Sequence, residues 1–158
     1  MENFSPAAQA LETLRIPYQE YVHASPPATI EQAAVERNQE INQVVRSILF
    51  RLSEGEFAMV LIAGPGQVSW RALRNHFHRS RLTIASAEEV KEITGYEIGA
   101  VSPFGLPYPV QILVDEGVIS QPAVSLGSGI RGTAILITKK NLLKALGEVE
   151  VGTFASYG

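Results

Sequence analysis

One charged side chain interrupts an apolar run of the sequence, at Arg46 in the segment VVRSILF. Residues two apart on a β-strand point to the same face. The predicted face of this side chain is apolar, and the other residues on it are Val44, Ile48 and Phe50. A charge on such a face is costly unless it is paired or directed at a ligand. Two interpretations follow: a ligand-binding cation, or an edge residue whose aliphatic stem carries the charge out to water.

A stiff apolar loop is the second candidate for chemistry. The segment TGYEIGAVSPFGLP, residues 94–107, holds three glycines, two prolines and one charged residue. Gly99 removes a side chain from the loop, and Pro103 fixes its own φ angle. The backbone N–H groups of such a loop can hold a carbonyl or an oxyanion, because they are fixed before the ligand arrives. The other interpretation is a rigid turn into a strand, with Phe104 filling the core.

Two further segments each allow a functional and a structural interpretation. Glycines in SLGSGIRGTAI indicate the close approach of another backbone or of a ligand, or else a β-hairpin. Its spacing does not match a phosphate-binding P-loop. In the basic run WRALRNHFHRSR, arginines alternate with Trp70 and Phe77. Such a run can follow a phosphate backbone and stack a base, with Arg71 and Arg74 as candidate contacts, or form a solvated helix face.

The usual catalytic sets are missing from the sequence. The chain has no cysteine, which excludes disulfides, a thiolate zinc site and a cysteine nucleophile. No HExxH motif, serine elbow or carboxylate cluster is present. His76 and His78 are two apart, so on a helix they face different directions. If the protein is an enzyme, we expect it to position and polarise a substrate that supplies its own nucleophile or is attacked by water. We expect neither a metal ion nor another cofactor.

Composition limits the class of protein and its partners. The 158 residues are 46% hydrophobic and 18% charged, which predicts one globular domain over residues 1–158. The net charge of −3 does not predict general binding of nucleic acid, and no DNA partner is expected. No stretch approaches the roughly 20 apolar residues of a membrane helix. No signal peptide is recognisable at the N-terminus either, so no membrane partner and a cytoplasmic location are expected.

Capping residues predict where the helices begin. Ser5 before Pro6 predicts the start of a first helix. Leu11 and Leu14 of that helix are expected to face inward. Caps for the later helices are the Thr29–Gln32 pair, Ser69 and the Ser86–Glu89 pair, and Gly95 is a predicted stop. The predicted helices cover residues 6–14, 30–38, 70–76, 87–94 and 139–146.

Strands outnumber helices in the predicted fold. The predicted strands cover residues 18–24, 44–52, 57–63, 82–86, 110–115, 123–129 and 133–138, with a last strand or tail over 148–154. The SEGE segment predicts a hairpin between the second and third strands. We therefore predict an α+β domain in which helices surround a mixed, curved, barrel-like sheet.

The order of these segments resembles a known family, the YbaK/prolyl-tRNA-synthetase-associated domains that edit aminoacyl-tRNA. The segments that carry the resemblance are TIEQAA, VVRSILFRL, FAMVLIAG, EEVKEITGYEIGAVSPFGLP, ILVDEGV and VSLGSGIRGTAI. It runs from about Tyr18 to Leu146, and its most specific part is the Gly-x-x-x-Pro spacing of Gly99 and Pro103. Members of this family hydrolyse amino acids wrongly attached to tRNA(Pro), in free-standing form or inserted in prolyl-tRNA synthetase.

The resemblance also implies a set of site residues. The implied catalytic set is Arg46, Gly99, Ala100, Val101 and Ser102. The implied substrate-binding set is Thr29, Pro103, Phe104, Gly127, Ser128 and Gly129. The family has a lysine where this chain has Arg46, so the charge is kept on a bulkier group. In the family, the terminal hydroxyl of the tRNA and a held water are thought to do the chemistry, which agrees with the missing nucleophile.

These implications predict a trans-editing aminoacyl-tRNA deacylase that acts on the 3′ acceptor end. Its expected partners are aminoacyl-tRNA, with Arg71 and Arg74 as candidate tRNA contacts, and prolyl-tRNA synthetase. Two alternatives stay open at this point. One is a binding module of the same fold that grips the acceptor end without hydrolysis. The other is a hydrolase of a small ester or acyl-nucleotide.

Overall fold

The computed structural model describes residues 4–156, so residues 1–3 and 157–158 of the predicted domain lie outside the described residues. Within the described residues the chain forms an α+β fold of six α-helices and ten strands. The helices are α1 Pro6–Leu14, α2 Ile30–Glu36, α3 Trp70–Phe77, α4 Ala87–Thr94, α5 Glu116–Ile119 and α6 Lys139–Leu146. The strands are β1 Gln19–Val22, β2 Val45–Ser53, β3 Glu56–Ala63, β4 Gln67–Val68, β5 Thr83–Ile84, β6 Gln111–Asp115, β7 Ala123–Gly127, β8 Thr133–Thr138, β9 Glu150–Gly152 and β10 Ala155–Ser156.

The predicted caps start the helices. The Ser86 hydroxyl accepts from the Glu89 N–H at 3.2 Å, and the Glu89 carboxylate accepts from the Ser86 N–H at 2.9 Å. At α2 the pattern differs: the Thr29 hydroxyl accepts from the Gln32 N–H at 3.0 Å, but the Gln32 side chain accepts from Ala28. The Gln32 side chain therefore accepts from the N–H one residue earlier than the predicted capping box requires, at Ala28 instead of Thr29. Among the described helices, none is long and apolar enough to cross a membrane.

The prediction that Leu14 faces inward is wrong. Leu11 is fully buried, whereas Leu14 is 53% exposed. The reason is the helix end: Arg15 adopts a left-handed conformation with φ 59° and turns the chain. Ile16, which is 5% exposed, then takes the inward position, and its N–H donates to the Leu11 carbonyl at 3.0 Å.

The strands pair into three sheets, in the orders β5-β2-β3-β6-β9, β1-β8-β7 and β10-β4. The predicted hairpin is confirmed, since β2 and β3 pair antiparallel, and β3–β6 and β6–β9 are parallel. The α+β class and the mixed sheet are therefore confirmed. In the described part of the chain the pairing closes no barrel.

A gap in strand pairing lies along one edge of β2. At its start, Val44 forms a parallel bridge with Ser125 of β7. Further along, Phe50 pairs with Ile84 of β5. Both contacts are on the edge opposite β3, because the β3 side of Val44 already accepts the Gly64 N–H at 2.7 Å. Between them the β2 edge has no strand partner among the described residues, and a cleft opens there.

Candidate active site

The cleft beside β2 has a volume of about 400 Å³. This is at the lower end of the range for small-molecule sites. Its walls come from α2, β2, the loop after α4 and the end of β7. The lining residues are Pro27, Ala28, Thr29, Ile30, Ala33, Arg37, Val44, Val45, Arg46, Ser47, Ile48, Leu49, Ile84, Ala85, Val90, Ile98, Gly99, Val101, Leu126, Gly127 and Thr133.

Tyr96 holds the loop after α4 in its shape. Gly95 ends α4 in a left-handed conformation with φ 79°, as predicted. The Tyr96 ring is then buried, and its hydroxyl donates to the Phe104 carbonyl. Burial raises the pKa of Tyr96 to about 12, so the hydroxyl keeps its proton at neutral pH. This bond fixes the loop from its buried side, and the middle of the loop lines the cleft.

Two residues of this loop that line the cleft have backbone amides with no acceptor among the described residues. Gly99 and Val101 line the cleft, and their N–H groups donate to no group within residues 4–156. The Ala100 N–H, in contrast, donates to the Glu97 carbonyl at 3.0 Å. Fixed amides with no acceptor can stabilise a carbonyl oxygen on which negative charge develops. The loop therefore has the groups that the sequence predicts for holding a carbonyl.

The other predicted loop residues lie behind the cleft. Ala100, Ser102, Pro103 and Phe104 are buried and are not among its lining residues. Phe104 packs in the larger core cluster, and its N–H donates to the Ser102 hydroxyl at 3.1 Å. Of the predicted segment 99–102, Gly99 and Val101 line the cleft, and Ala100 and Ser102 do not. The alternative role of Phe104, filling the core, is what the structure shows.

The glycine-rich turn after β7 supports this loop from the other side. Gly127 lines the cleft, and a Cβ on it would lie 2.1 Å from the Val101 carbonyl oxygen. The Gly129 N–H donates to the Ala100 carbonyl at 2.9 Å. Ser128 is fully buried, and its hydroxyl donates to the Thr133 carbonyl at 2.9 Å. Ser128 and Gly129 therefore hold the loop in place and do not line the cleft.

Arg46 lines the cleft, and its guanidinium is bonded to protein backbone. Its Nε donates to the Gly64 carbonyl at 3.0 Å, and its Nη2 donates to the Gly66 carbonyl. From the sequence, this charge was expected either to bind a ligand or to reach water from an edge position. Backbone carbonyls of the 64–66 turn are a third kind of partner, because that turn follows β3 directly beside β2.

Three polar lining residues were not predicted as site residues: Arg37, Ser47 and Thr133. Arg37, just after α2, donates from Nε to His23 at 3.0 Å and from Nη1 to Ser125 at 2.9 Å. The Ser47 hydroxyl is buried and has no hydrogen-bond partner among the described residues. Ser47 could have been found: it is the polar residue on the β2 face of Val45 and Leu49, which are core residues. The sequence gives no such indication for Arg37, because an arginine at the end of a helix is expected to lie at the surface.

The basic run lies outside the cleft. None of the α3 residues is among the lining residues. Trp70 packs edge-on to Phe50 with ring centroids 5.4 Å apart. Arg79 pairs with the Glu56 carboxylate at 2.7 Å. The aromatic residue Trp70 and the cation Arg79 thus have roles within the fold, while Arg71 and Arg74 remain predicted tRNA contacts.

Similarity to known proteins identifies the family to which this chain belongs. A model of the family described as the aminoacyl-tRNA editing domain matches residues 24–145. This range covers more than half of the 158 residues. The chain belongs to the aminoacyl-tRNA editing domain family. The resemblance predicted from the sequence is thereby confirmed, and the editing-domain match contains α2, β2, the loop after α4 and β7.

Relatives of this editing domain include a protein of similar length and a much longer ligase. The uncharacterized protein YwhH of Bacillus subtilis (strain 168) is 31% identical over 115 residues, which are 73% of either chain. Proline–tRNA ligase of Bacillus cereus (strain AH187) is 30% identical over 114 residues, 72% of this chain but 19% of the ligase. This chain therefore corresponds to about a fifth of that enzyme.

Solved structures share the fold of the editing domain over nearly its whole length. A candidate trans-editing enzyme for prolyl-tRNA synthetase superposes with a TM-score of 0.84 at 27% identity, covering 96% of both chains. The hypothetical protein APE2540 superposes with a TM-score of 0.86 at 22% identity, covering 96% of this chain and 99% of the other. At that lower identity the second likeness shows the fold alone.

We expect Gly99→Ala to reduce activity of the editing domain much more than stability. Within 4 Å, a Cβ at this position meets only Arg131 Nε, at 3.8 Å, so it is sterically tolerated although Gly99 lines the cleft. Because φ is +95°, alanine should cost about 1–2 kcal/mol of folding free energy. Deacylation should fall by at least about tenfold, since small displacements of a reacting group are costly. Single-turnover kinetics and urea unfolding measure the two effects.

Gly95→Ala is the matched control for this substitution. Gly95 also has a positive φ, +79°, and a Cβ there meets nothing within 4 Å. It is not a lining residue. We expect a similar loss of stability with activity retained. Equal losses of activity in both variants would show that backbone strain, and not the position in the cleft, determines the effect.

Proposed function

We propose that this protein is a trans-editing aminoacyl-tRNA deacylase that removes a wrongly attached amino acid from tRNA(Pro). The observation that carries the proposal is the pair of acceptor-free amides of Gly99 and Val101 in the cleft of an editing-family chain. An aminoacyl ester presents a carbonyl oxygen of the kind such amides hold. The expected location is the cytoplasm.

The reaction in this cleft is hydrolysis of the ester between the amino acid and the terminal ribose. Water adds to the acyl carbon, the carbonyl oxygen becomes an oxyanion, and the Gly99 and Val101 amides stabilise it. The ester C–O bond then breaks, and the ribose oxygen leaves with a proton. Free amino acid and uncharged tRNA result. The neighbouring ribose hydroxyl positions the water, so the protein contributes orientation and electrostatics.

Arg46 is proposed to hold the nucleotide end of the substrate. Its bonds to the 64–66 turn fix the guanidinium beside the cleft, and it keeps a positive charge there. A guanidinium binds phosphate and ribose oxygens through charge-assisted hydrogen bonds, which is the contact proposed for Arg46. Thr29, at the start of α2, lines the opposite wall and is proposed to contact the substrate there.

The link to proline decoding is proposed because of what the chain is similar to. Proline–tRNA ligases align with the chain over 72% of its length, and one similar solved structure is a candidate trans-editing enzyme for prolyl-tRNA synthetase. An editing domain that acts in trans would act after the synthetase releases its product. Prolyl-tRNA synthetase is therefore the proposed protein partner.

A panel of mischarged tRNAs tests the proposal. The protein is mixed with tRNA(Pro) carrying Ala, Cys, Ser or Thr, and with the same amino acids on their own tRNAs. Release of at least one amino acid from tRNA(Pro) alone is the expected result. Tight binding without release would favour the acceptor-end binding module, and hydrolysis of a minimal ester alone would favour a small-ester hydrolase.

We expect Arg71→Glu combined with Arg74→Glu to weaken tRNA binding and to flatten its salt dependence. Each cation that contacts a phosphate releases a counterion, so losing contacts lowers the slope of log K against log salt. The measurement is fluorescence anisotropy with labelled tRNA(Pro) from 50 to 200 mM salt, roughly the range over which such effects are large. Unchanged affinity and slope would make α3 an ordinary solvated helix.

A further inference from the structure

The cleft contains a second arginine, Arg37, that is held by buried polar groups. Its Nε donates to His23 Nε2 at 3.0 Å, and its Nη1 donates to the Ser125 hydroxyl at 2.9 Å. His23 is 6% exposed and Ser125 is fully buried. Both anchors are therefore fixed, and the guanidinium they hold has lost much of its rotational freedom before any ligand arrives.

A chain of hydrogen bonds fixes these anchors in turn. His23 Nδ1 lies 2.6 Å from the Glu36 carboxylate, and the Ser125 hydroxyl donates to the Gln39 carboxamide oxygen at 2.7 Å. Since His23 Nε2 accepts from Arg37, these contacts fit a neutral imidazole with its proton on Nδ1. The bond from His23 holds the pKa of Glu36 below its usual value.

The guanidinium still has donors to offer. Its Nη2 group has no hydrogen-bond partner within residues 4–156, and Arg37 forms no ion pair there. Burial lowers its pKa, which is the direction expected for a partly desolvated cation. Among the described residues, no aspartate or glutamate lines the cleft. An oxygen acceptor of a ligand is the group that would complete this site.

We propose that Arg37 recognises a side-chain oxygen acceptor, such as a hydroxyl group, on the amino acid to be removed. This rests on the proposed deacylase function. Its anchors are buried, and we place the small side chain of the amino acid, not the nucleotide, beside Arg37. The bulkier nucleotide lies at Arg46, which is proposed above to hold it. Arg37 is thus a specificity-determining residue that favours serine-like over alanine-like substrates.

A pair of ligands that differ by one oxygen atom tests the proposal. The probes are 3′-seryl- and 3′-alanylamino-3′-deoxyadenosine, amide analogues that resist hydrolysis. By isothermal titration calorimetry, the wild-type protein should bind the seryl analogue about tenfold more tightly, the scale of one bond to a charged donor. In Arg37→Met, which keeps a long side chain without donors, this preference should fall to about unity.

The matched control is Arg131→Met. It removes the same charge near the cleft, but Arg131 is not a lining residue. Its seryl preference should stay at about tenfold. If Arg37→Met fails to fold, Ser125→Ala is the second variant. It removes one hydrogen-bond partner of Arg37 but keeps the guanidinium, so the seryl preference should fall in part. A purely structural Arg37 would weaken both ligands equally and would overturn the proposal.

Binding and turnover together separate the two proposals. Hydrolysis of alanyl- and seryl-tRNA(Pro) at equal rates, with no binding preference, would overturn the role of Arg37 and leave the deacylase function. A seryl preference that depends on Arg37, without hydrolysis, would overturn the deacylase function alone. If Arg37→Met weakened adenosine 5′-monophosphate as much as the seryl analogue, Arg37 would bind phosphate and the side-chain proposal would fail.

Discussion

Arg46→Ala is expected to slow deacylation of mischarged tRNA(Pro) by roughly ten- to hundredfold. This corresponds to the loss of about 1.5–3 kcal/mol of transition-state stabilisation, the scale of one charge-assisted contact. Arg46→Lys should keep appreciable activity, because the positive charge remains although the planar fork is lost. Single-turnover kinetics on all three proteins measure the effect. Full activity in the alanine variant would refute a substrate-binding role.

The structure also predicts a stability cost for the same variant. The carbonyls of Gly64 and Gly66 lose their Arg46 donors, and both glycines are buried. Leaving a buried acceptor unsatisfied costs about 1–3 kcal/mol. Arg51→Ala on the same strand is the control: Arg51 is exposed, pairs with Glu89 at 3.5 Å and lies outside the cleft. Its loss should change neither activity nor stability by more than about 0.5 kcal/mol.

Gly127→Ala is expected to destabilise the fold and to abolish measurable activity. The added Cβ would lie 2.1 Å from the Val101 carbonyl oxygen, a backbone atom that cannot rotate away. Separating the two segments should cost about 3 kcal/mol or more, seen as a loss of roughly 6–12 °C in Tm. The same movement displaces the Val101 amide from the cleft, and displacement of about 1 Å can cost a hundredfold in rate.

Gly152→Ala separates this steric effect from the general effect of adding a methyl group to a strand glycine. There the new Cβ would lie 3.0 Å from Cζ of the Phe154 ring, a side-chain atom that can shift. We expect a much smaller loss of stability and normal turnover. Thermal melts and deacylation assays on both variants make the comparison. A Gly127→Ala protein with native Tm would show that the loop and β7 separate easily.

The parts of the fold that local chemistry determines could be predicted from the sequence. Ser86 and Glu89 form a reciprocal cap within four consecutive residues, and Gly95 can end a helix in any context. The hairpin of β2 and β3 likewise depends on a short turn. Leu14 was misplaced because its burial depends on how the chain reverses at Arg15, which periodicity does not describe.

The site was predicted less completely than the fold, because its geometry depends on distant segments. The glycine at 99 indicated a bare stretch of loop, but not that the Ala100 carbonyl accepts from the Gly129 N–H in the turn after β7. From the sequence alone, Arg37 is expected to be a solvated residue at the end of a helix. Its role follows from Ser125, which lies 88 positions away. No local pattern can join two such residues.

The scattered origin of the cleft walls has a thermodynamic consequence. The lining residues lie in separate stretches, 27–49, 84–101 and 126–133, and β7 is joined to the start of β2 by the bridge of Val44 and Ser125. An unfolded chain therefore holds no part of the site in a competent form. A ligand that occupies the cleft binds the native state alone, and at a hundred times its Kd it adds about 2.7 kcal/mol to the free energy of unfolding. For this protein, a rise in melting temperature reports occupancy whether or not the bound molecule is ever hydrolysed.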